Sequence, residues 1–160
     1  MNLDKLVAVS GRTGIFKMAA NRPNGLIIQD LDNGKKFFAP SRKHQFTPLE
    51  SISIYTDTED STAELKEVFV NMLTQIDSNP PVSPKSSSTE IKNYFGEILP
   101  EFDREKVLVS DIKKLIKWFN FLHARNLLEL PDETEIADEE VAQEEEVKNK
   151  TEDEETVKQS

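Results

Sequence analysis

The chain has 160 residues, with 20 Lys and Arg against 30 Asp and Glu for a net charge of −10, and no cysteine. Disulfides, zinc–thiolate sites, iron–sulfur clusters and cysteine nucleophiles are therefore excluded. The charge is uneven: residues 1–57 carry eight basic against five acidic side chains and residues 129–160 three against fourteen, which leaves the rest close to neutral.

In chain order, Leu3, Leu6 and Val7 stand at helical spacing and predict a short opening helix, stopped by Ser10-Gly11 and Gly14. From Gly14 to Ala19 the residues suit a strand, followed by a turn at Asn21–Gly25 and a second strand at Leu26–Leu31, rich in β-branched side chains. Asp32-Asn33-Gly34 supplies the positive φ angles of a tight hairpin and predicts pairing of Leu26–Leu31 with Lys35–Ala39. A looser stretch through Pro40 and Pro48 leads to Ile52-Ser53-Ile54-Tyr55, which alternates as a half-buried strand does.

Ser61-Thr62-Ala63-Glu64 fits a capping box and predicts a helix start. Leu65, Val68, Phe69, Met72, Leu73 and Ile76 then form an apolar stripe of 3.6-residue period. Ser78–Ser88, with three prolines and five serines, offers no core-facing side and predicts a linker. Ser87 and Glu90 form a second capping box before Ile91, Tyr94, Phe95, Ile98 and Leu99, and Pro100 ends that helix. After a connector with an extended piece at Val107–Val109, Ser110 and Asp111 suit the start of a last helix with core positions Ile112, Leu115, Ile116, Phe119 and Leu122. Leu127, Leu128 and Leu130 suit packing back on the helices.

Residues 129–160 lack aromatics and cannot bury enough apolar surface to offset the entropy of ordering, which predicts a disordered acidic tail. The N-terminus has no basic stretch leading into a long apolar run, and no run approaches the roughly eighteen residues of a membrane span. Neither secretion nor membrane insertion is expected, and the cytoplasm is the expected compartment. The fold class expected is α+β. A small SH3-like β-barrel is predicted at 1–57 and a helical module at 89–128, with a helix at 61–77 packing on either module. The Pro/Ser linker occupies 78–88 and the tail 129–160.

Ser10-Gly11 through Gly14-Ile15-Phe16-Lys17, the strand Asn24–Ile28, Leu49–Tyr55, Leu99-Pro100 and Val109–Lys114 together resemble a set of small Bacteroidetes proteins known only as domains of unknown function. The resemblance spans about residues 1–128. It implies a bacterial cytoplasmic protein and transfers no functional residue.

For catalysis the chain offers two histidines, His44 in a basic loop and His123 late in the last helix, with no recognisable Ser, His and Asp arrangement around either. Gly11-Arg12-Thr13-Gly14 lacks Walker or dinucleotide spacing and precedes a strand, so its glycines read as turn residues. The acidic run lacks the alternation and central glycine of an EF-hand loop. No catalytic, cofactor or metal residue is assigned.

Two surfaces suggest binding. In the first, Arg12, Lys17, Arg22, Lys35, Lys36, Arg42 and Lys43 lie in or beside turns near Phe37, Phe38, His44 and Phe46, a mixture suited to single-stranded nucleic acid. In the second, Lys114, Trp118, Phe121 and Arg125 share a face of the last helix beside its core stripe, with Lys113 and Lys117 alongside. That face either packs against the rest of the protein or docks a partner protein, where Trp and Arg dominate binding energy. A helix-turn-helix over residues 88–126 would have a connector longer than the usual tight turn. The acidic tail reads as solubilising charge, as a competitor for an anionic ligand, or as an attractor of basic partners. The function expected is a non-catalytic macromolecular binding or adaptor protein with a protein partner, no cofactor and no membrane contact. The competing expectation is a nucleic-acid- or ribosome-associated module.

Overall fold

The computed structural model describes residues 1–130. Apart from its first two residues, the predicted acidic tail lies outside them. Met1–Glu129 form one compact unit.

The opening segment is a strand, where helical spacing predicted a helix. Lys5 turns the chain at φ 63°, Leu6 N–H donates to the Leu3 carbonyl at 3.2 Å, and β1 runs over Leu6–Val9. A short apolar run buried on both faces cannot be told from a helix turn by periodicity. Next come β2 (Ile15–Arg22), β3 (Gly25–Asp30) and β4 (Lys36–Pro40), then the three-residue β5 (Phe46–Pro48). The β3–β4 hairpin forms as its Asp-Asn-Gly turn requires: Gly34 has φ 73°, and Asp30 Oδ1 accepts from the Asp32 and Asn33 amides at 2.7 and 3.2 Å. Leu26 pairs with Ala39 and Ile28 with Phe37.

All five strands pair antiparallel in the order β4-β3-β2-β1-β5. The sheet is open, with β4 and β5 as its edges, so the closed SH3-like barrel expected from sequence is corrected. β5 is too short to continue round to β4: it ends at Pro48, which has no N–H to donate to a ladder, and the chain enters a 3₁₀ turn at Leu49–Ser51. A second hairpin follows, β6 (Ser53–Tyr55) against β7 (Thr62–Glu64). The predicted Ser61–Glu64 capping box is therefore absent: these residues belong to the hairpin, and α1 (Leu65–Thr74) starts from Glu64 without a side-chain cap.

The other helices are α2 (Ser88–Ile98) and α3 (Val109–Ala124). Ser87 caps α2, its hydroxyl accepting from the Glu90 amide at 3.2 Å. At α3 the expected cap shifts. Leu108 holds the cap position, and Asp111 reaches back to its N–H at 3.1 Å, so Ser110 lies inside the helix. α1 secures the end of α2, for Asn71 Nδ2 donates to the Ile98 carbonyl at 3.1 Å and Gln75 Nε2 to that of Glu97 at 3.3 Å.

Pleating divides the sheet's side chains between two buried clusters. Val7, Val9, Phe16, Ile28 and Ala39 form the smaller one. Their neighbours Leu6 and Ile15 belong to the larger, together with Met1, Leu3 and the apolar stripes of all three helices. Phe69 of α1 meets Phe119 of α3 edge to face at 5.9 Å, and Phe95 of α2 meets Phe102 at 4.9 Å. In the Pro/Ser segment, Val82 is partly buried against this core.

Candidate functional site

The five-residue loop Ser10–Gly14 joins β1 to β2. Gly11 and Gly14 have φ of 79° and 87°, a left-handed conformation that side chains disfavour. Gly14 has a second constraint: a Cβ there would lie 2.6 Å from Cε2 of Phe121, whose ring presses on the glycine. The loop is pinned at its other end. The Ser10 carbonyl accepts from His44 Nδ1 at 2.8 Å, its hydroxyl accepts from the Gln45 amide at 2.7 Å, and its N–H donates to the Gln45 carbonyl at 2.9 Å. The guanidinium of Arg12 lies over the Phe37 ring at 4.5 Å.

Facing this loop is α3. Its buried side carries Ile112, Leu115, Ile116, Phe119 and Leu122, as the sequence predicted, and Lys114, Lys117, Trp118 and Phe121 lie on the adjoining side. Between loop and helix opens a cleft of about 860 Å³. One wall is Ala8–Gly14 with Gln45 and Thr47, and the other is Val107, Asp111, Lys114, Leu115, Lys117, Trp118 and Phe121. Ile52–Tyr55 and Lys106 complete the lining. Among the described residues its charged groups are four cations, Arg12, Lys106, Lys114 and Lys117, and one carboxylate, Asp111, which is engaged by the Leu108 amide. Lys106 Nζ sits 5.2 Å from the centre of the Tyr55 ring.

The fold thus brings Arg12 together with Lys114, Trp118 and Phe121, which the sequence placed on two separate surfaces. Arg125 is engaged elsewhere. Its Nε and Nη2 grip Asp32 Oδ1 and Oδ2 at 2.7 and 3.0 Å, its Nη1 donates to the Phe121 carbonyl at 2.9 Å, and its plane lies 3.5 Å from the Phe121 ring centre. The bidentate hydrogen bond lowers the Asp32 pKa and raises that of Arg125. The residue read as a docking candidate therefore ties the end of α3 to the β3–β4 turn. Lys17, Arg22, Lys35, Lys36, Arg42 and Lys43 do not line the cleft. Arg42 borders a smaller pocket of about 420 Å³ beside Phe38, and Arg22 donates to the Asn21 carbonyl at 3.2 Å.

Ile52, Thr47, Tyr55 and Lys106 line the cleft without having been singled out for binding by the sequence. One signal was available for the pairing of walls: a glycine pair bracketing a loop and a large aromatic beside a helix's core stripe both call for a partner surface. The histidines do not meet. His44 holds the Ser10 carbonyl, and His123 stacks on Phe119 at 5.6 Å. Among the described residues no group of three or more His, Asp or Glu is placed to hold a metal ion, and no helix is long and apolar enough to cross a membrane.

These features define an α+β protein with an open antiparallel sheet, a three-helix layer and a basic-rimmed apolar cleft between them. Two family models match it: Domain of unknown function (DUF5606) over residues 3–49 and Domain of unknown function (DUF6852) over residues 52–122. A solution NMR structure of a protein from Bacteroides vulgatus is 30% identical, covering 81% of this chain and 91% of that one with a TM-score of 0.65. The chain belongs to this family of small two-segment proteins of unknown function, found in Bacteroidetes. No curated protein matches it.

Proposed function

We propose that the protein is a non-catalytic cytoplasmic adaptor that binds a partner protein through the cleft between the Ser10–Gly14 loop and α3. One observation carries the reading: both family segments contribute walls to this cleft, Ala8–Thr47 from the first and Ile52–Phe121 from the second. Its lining surface is mostly apolar, though polar and charged side chains contribute to it as well, the usual character of a recognition site. Among the described residues the cleft is lined by no histidine and by one carboxylate that is already hydrogen bonded, which favours binding over proton transfer. We read the strand order, in which the fifth strand returns beside the first, as a partly opened relative of SH3-like barrels.

The rival reading, a nucleic-acid- or ribosome-associated module, draws on the basic turns. Lys35, Lys36, Arg42 and Lys43 stand away from the cleft, and residues 58–128 offset the surplus of residues 1–57 with nine basic against eleven acidic side chains. Dedicated nucleic-acid binders are far more basic. The test is capture of partners from native lysate by the full-length chain, with and without nuclease, beside a Lys114→Glu/Lys117→Glu variant. Protein partners that survive nuclease and are lost with the variant support the adaptor. Partners released by nuclease, with nucleic acid recovered, support the rival.

A further inference from the structure

We infer that the occupant of this cleft is an acidic peptide segment of the partner carrying an apolar anchor, which seats against Trp118. The inference deepens the adaptor reading and rests on it. Charge decides the first half. Arg12, Lys106, Lys114 and Lys117 ring the opening, and the only carboxylate that the described residues add to the lining accepts a hydrogen bond from the Leu108 amide. A partner segment of opposite sign is drawn in and a basic one repelled. The long stems of these lysines cover apolar surface while their ammonium groups remain in water.

Apolar chemistry decides the second half. Trp118 is half-buried beside Leu115 and Ile52, so its indole presents area that a partner side chain can desolvate. Tryptophans buried at an interface carry a disproportionate share of its binding energy. The walls are fixed before anything binds. Phe121 is wedged against Gly14, Ser10 is pinned by His44 and Gln45, and Arg125 fastens the end of α3 to Asp32. Binding to such a site has little ordering cost. A volume of about 860 Å³ accommodates several side chains, more than one ion needs. A nucleic acid strand would want successive stacking platforms. Here Tyr55 already faces Lys106 and Phe121 is stacked by Arg125, which leaves Trp118 as the lining aromatic without a cation partner among the described residues.

Trp118 is the chain's only tryptophan and so reports from inside the cleft. The experiment titrates full-length protein with a short fluorescein-labelled peptide rich in Asp and Glu around one Phe, reading anisotropy of the label and emission of Trp118. Three comparison ligands are used: the same peptide with Gln and Asn for the acids, a basic version, and a single-stranded oligonucleotide. We expect the acidic peptide to shift Trp118 emission. Lys114→Glu/Lys117→Glu, both exposed positions, should weaken it about tenfold, and Trp118→Ala about thirtyfold by anisotropy. Lys92→Glu, exposed on α2 outside the cleft, should leave affinity unchanged. If the neutral peptide binds equally well and the lysine variant has no effect, the cleft binds peptides and the acidic assignment falls. Emission that responds to the oligonucleotide and not to the peptide overturns both this inference and the adaptor reading. No response to the acidic peptide also overturns the inference.

Discussion

Replacing Gly14 by Ala tests whether the cleft's walls are held together as described. Two costs add at this position. The left-handed φ of 87° imposes roughly 1–2 kcal/mol on a residue with a Cβ, and that Cβ would meet the Phe121 ring at 2.6 Å, forcing a shift of the kind that costs about 1–3 kcal/mol. Gly14→Ala should therefore destabilise by about 3 kcal/mol. Gly11 provides the control, since it shares the backbone conformation at φ 79° but its nearest neighbour, His44 Nδ1, would lie an ordinary 3.8 Å away. Gly11→Ala should cost only the conformational part, about 1–2 kcal/mol. Urea unfolding followed by Trp118 emission gives both values. A double-mutant cycle then separates the terms, because in a Phe121→Ala background the Gly14→Ala penalty should fall to that of Gly11→Ala. Equal costs for the two glycine substitutions in the wild-type background would refute the wedge between Phe121 and the loop.

Tyr94 is buried with no hydrogen-bond partner for its hydroxyl among the described residues, and burial raises its pKa above the ordinary value of about 10. In the unfolded chain the phenol ionises near pH 10 while the folded one stays protonated, so stability should decline as pH rises above 10. Tyr94→Phe should remove that contribution to the decline and, at neutral pH, leave stability unchanged or raised by up to about 1 kcal/mol in denaturant titrations. For Asp32 the sign is opposite. Its hydrogen bond to Arg125 lowers the folded pKa below 3.8, so the pair's contribution is complete above that value and lost as pH falls through the folded pKa. An NMR titration should place the Asp32 midpoint below the ordinary carboxylate value and return it upward in Arg125→Gln. At the helix caps, Ser87→Ala should cost about 1 kcal/mol and Ser110→Ala much less, since only Ser87 accepts an amide hydrogen bond at a cap position. Comparable melting temperatures for the two cap variants would contradict this assignment.

Helical interiors were legible because a 3.6-residue repeat maps directly onto burial: the core positions read for α2 and α3 are all buried, and so are Leu65, Val68, Phe69 and Met72 of α1. Helix starts were less so. Ser61-Thr62-Ala63-Glu64 has the composition of a capping box, but pairing of Thr62–Glu64 with Ser53–Tyr55 claims its backbone, and that partner lies outside any local window. The Asp-Asn-Gly hairpin was readable for the converse reason, its hydrogen bonds being confined to a few neighbouring residues. β1 and β5 escaped because strands of four and three residues are too short to show a period. Of the cleft's lining the sequence offered Arg12 on one surface and Lys114, Trp118 and Phe121 on another, while the other six residues of the first surface lie elsewhere. Nothing local says that Gly14 receives Phe121, more than a hundred residues later in the chain, so their juxtaposition and the capture of Arg125 by Asp32 emerge only from the fold.

Leu6 and Ile15 of the first family segment are buried in the same cluster as Phe69, Ile91 and Phe119 of the second. Either segment produced by itself would present that apolar face to water, inviting aggregation in place of an independent fold. The joint near residue 50 is thus a seam within one folding unit, and a fragment cut there is expected to regain its shape only when its other half is supplied.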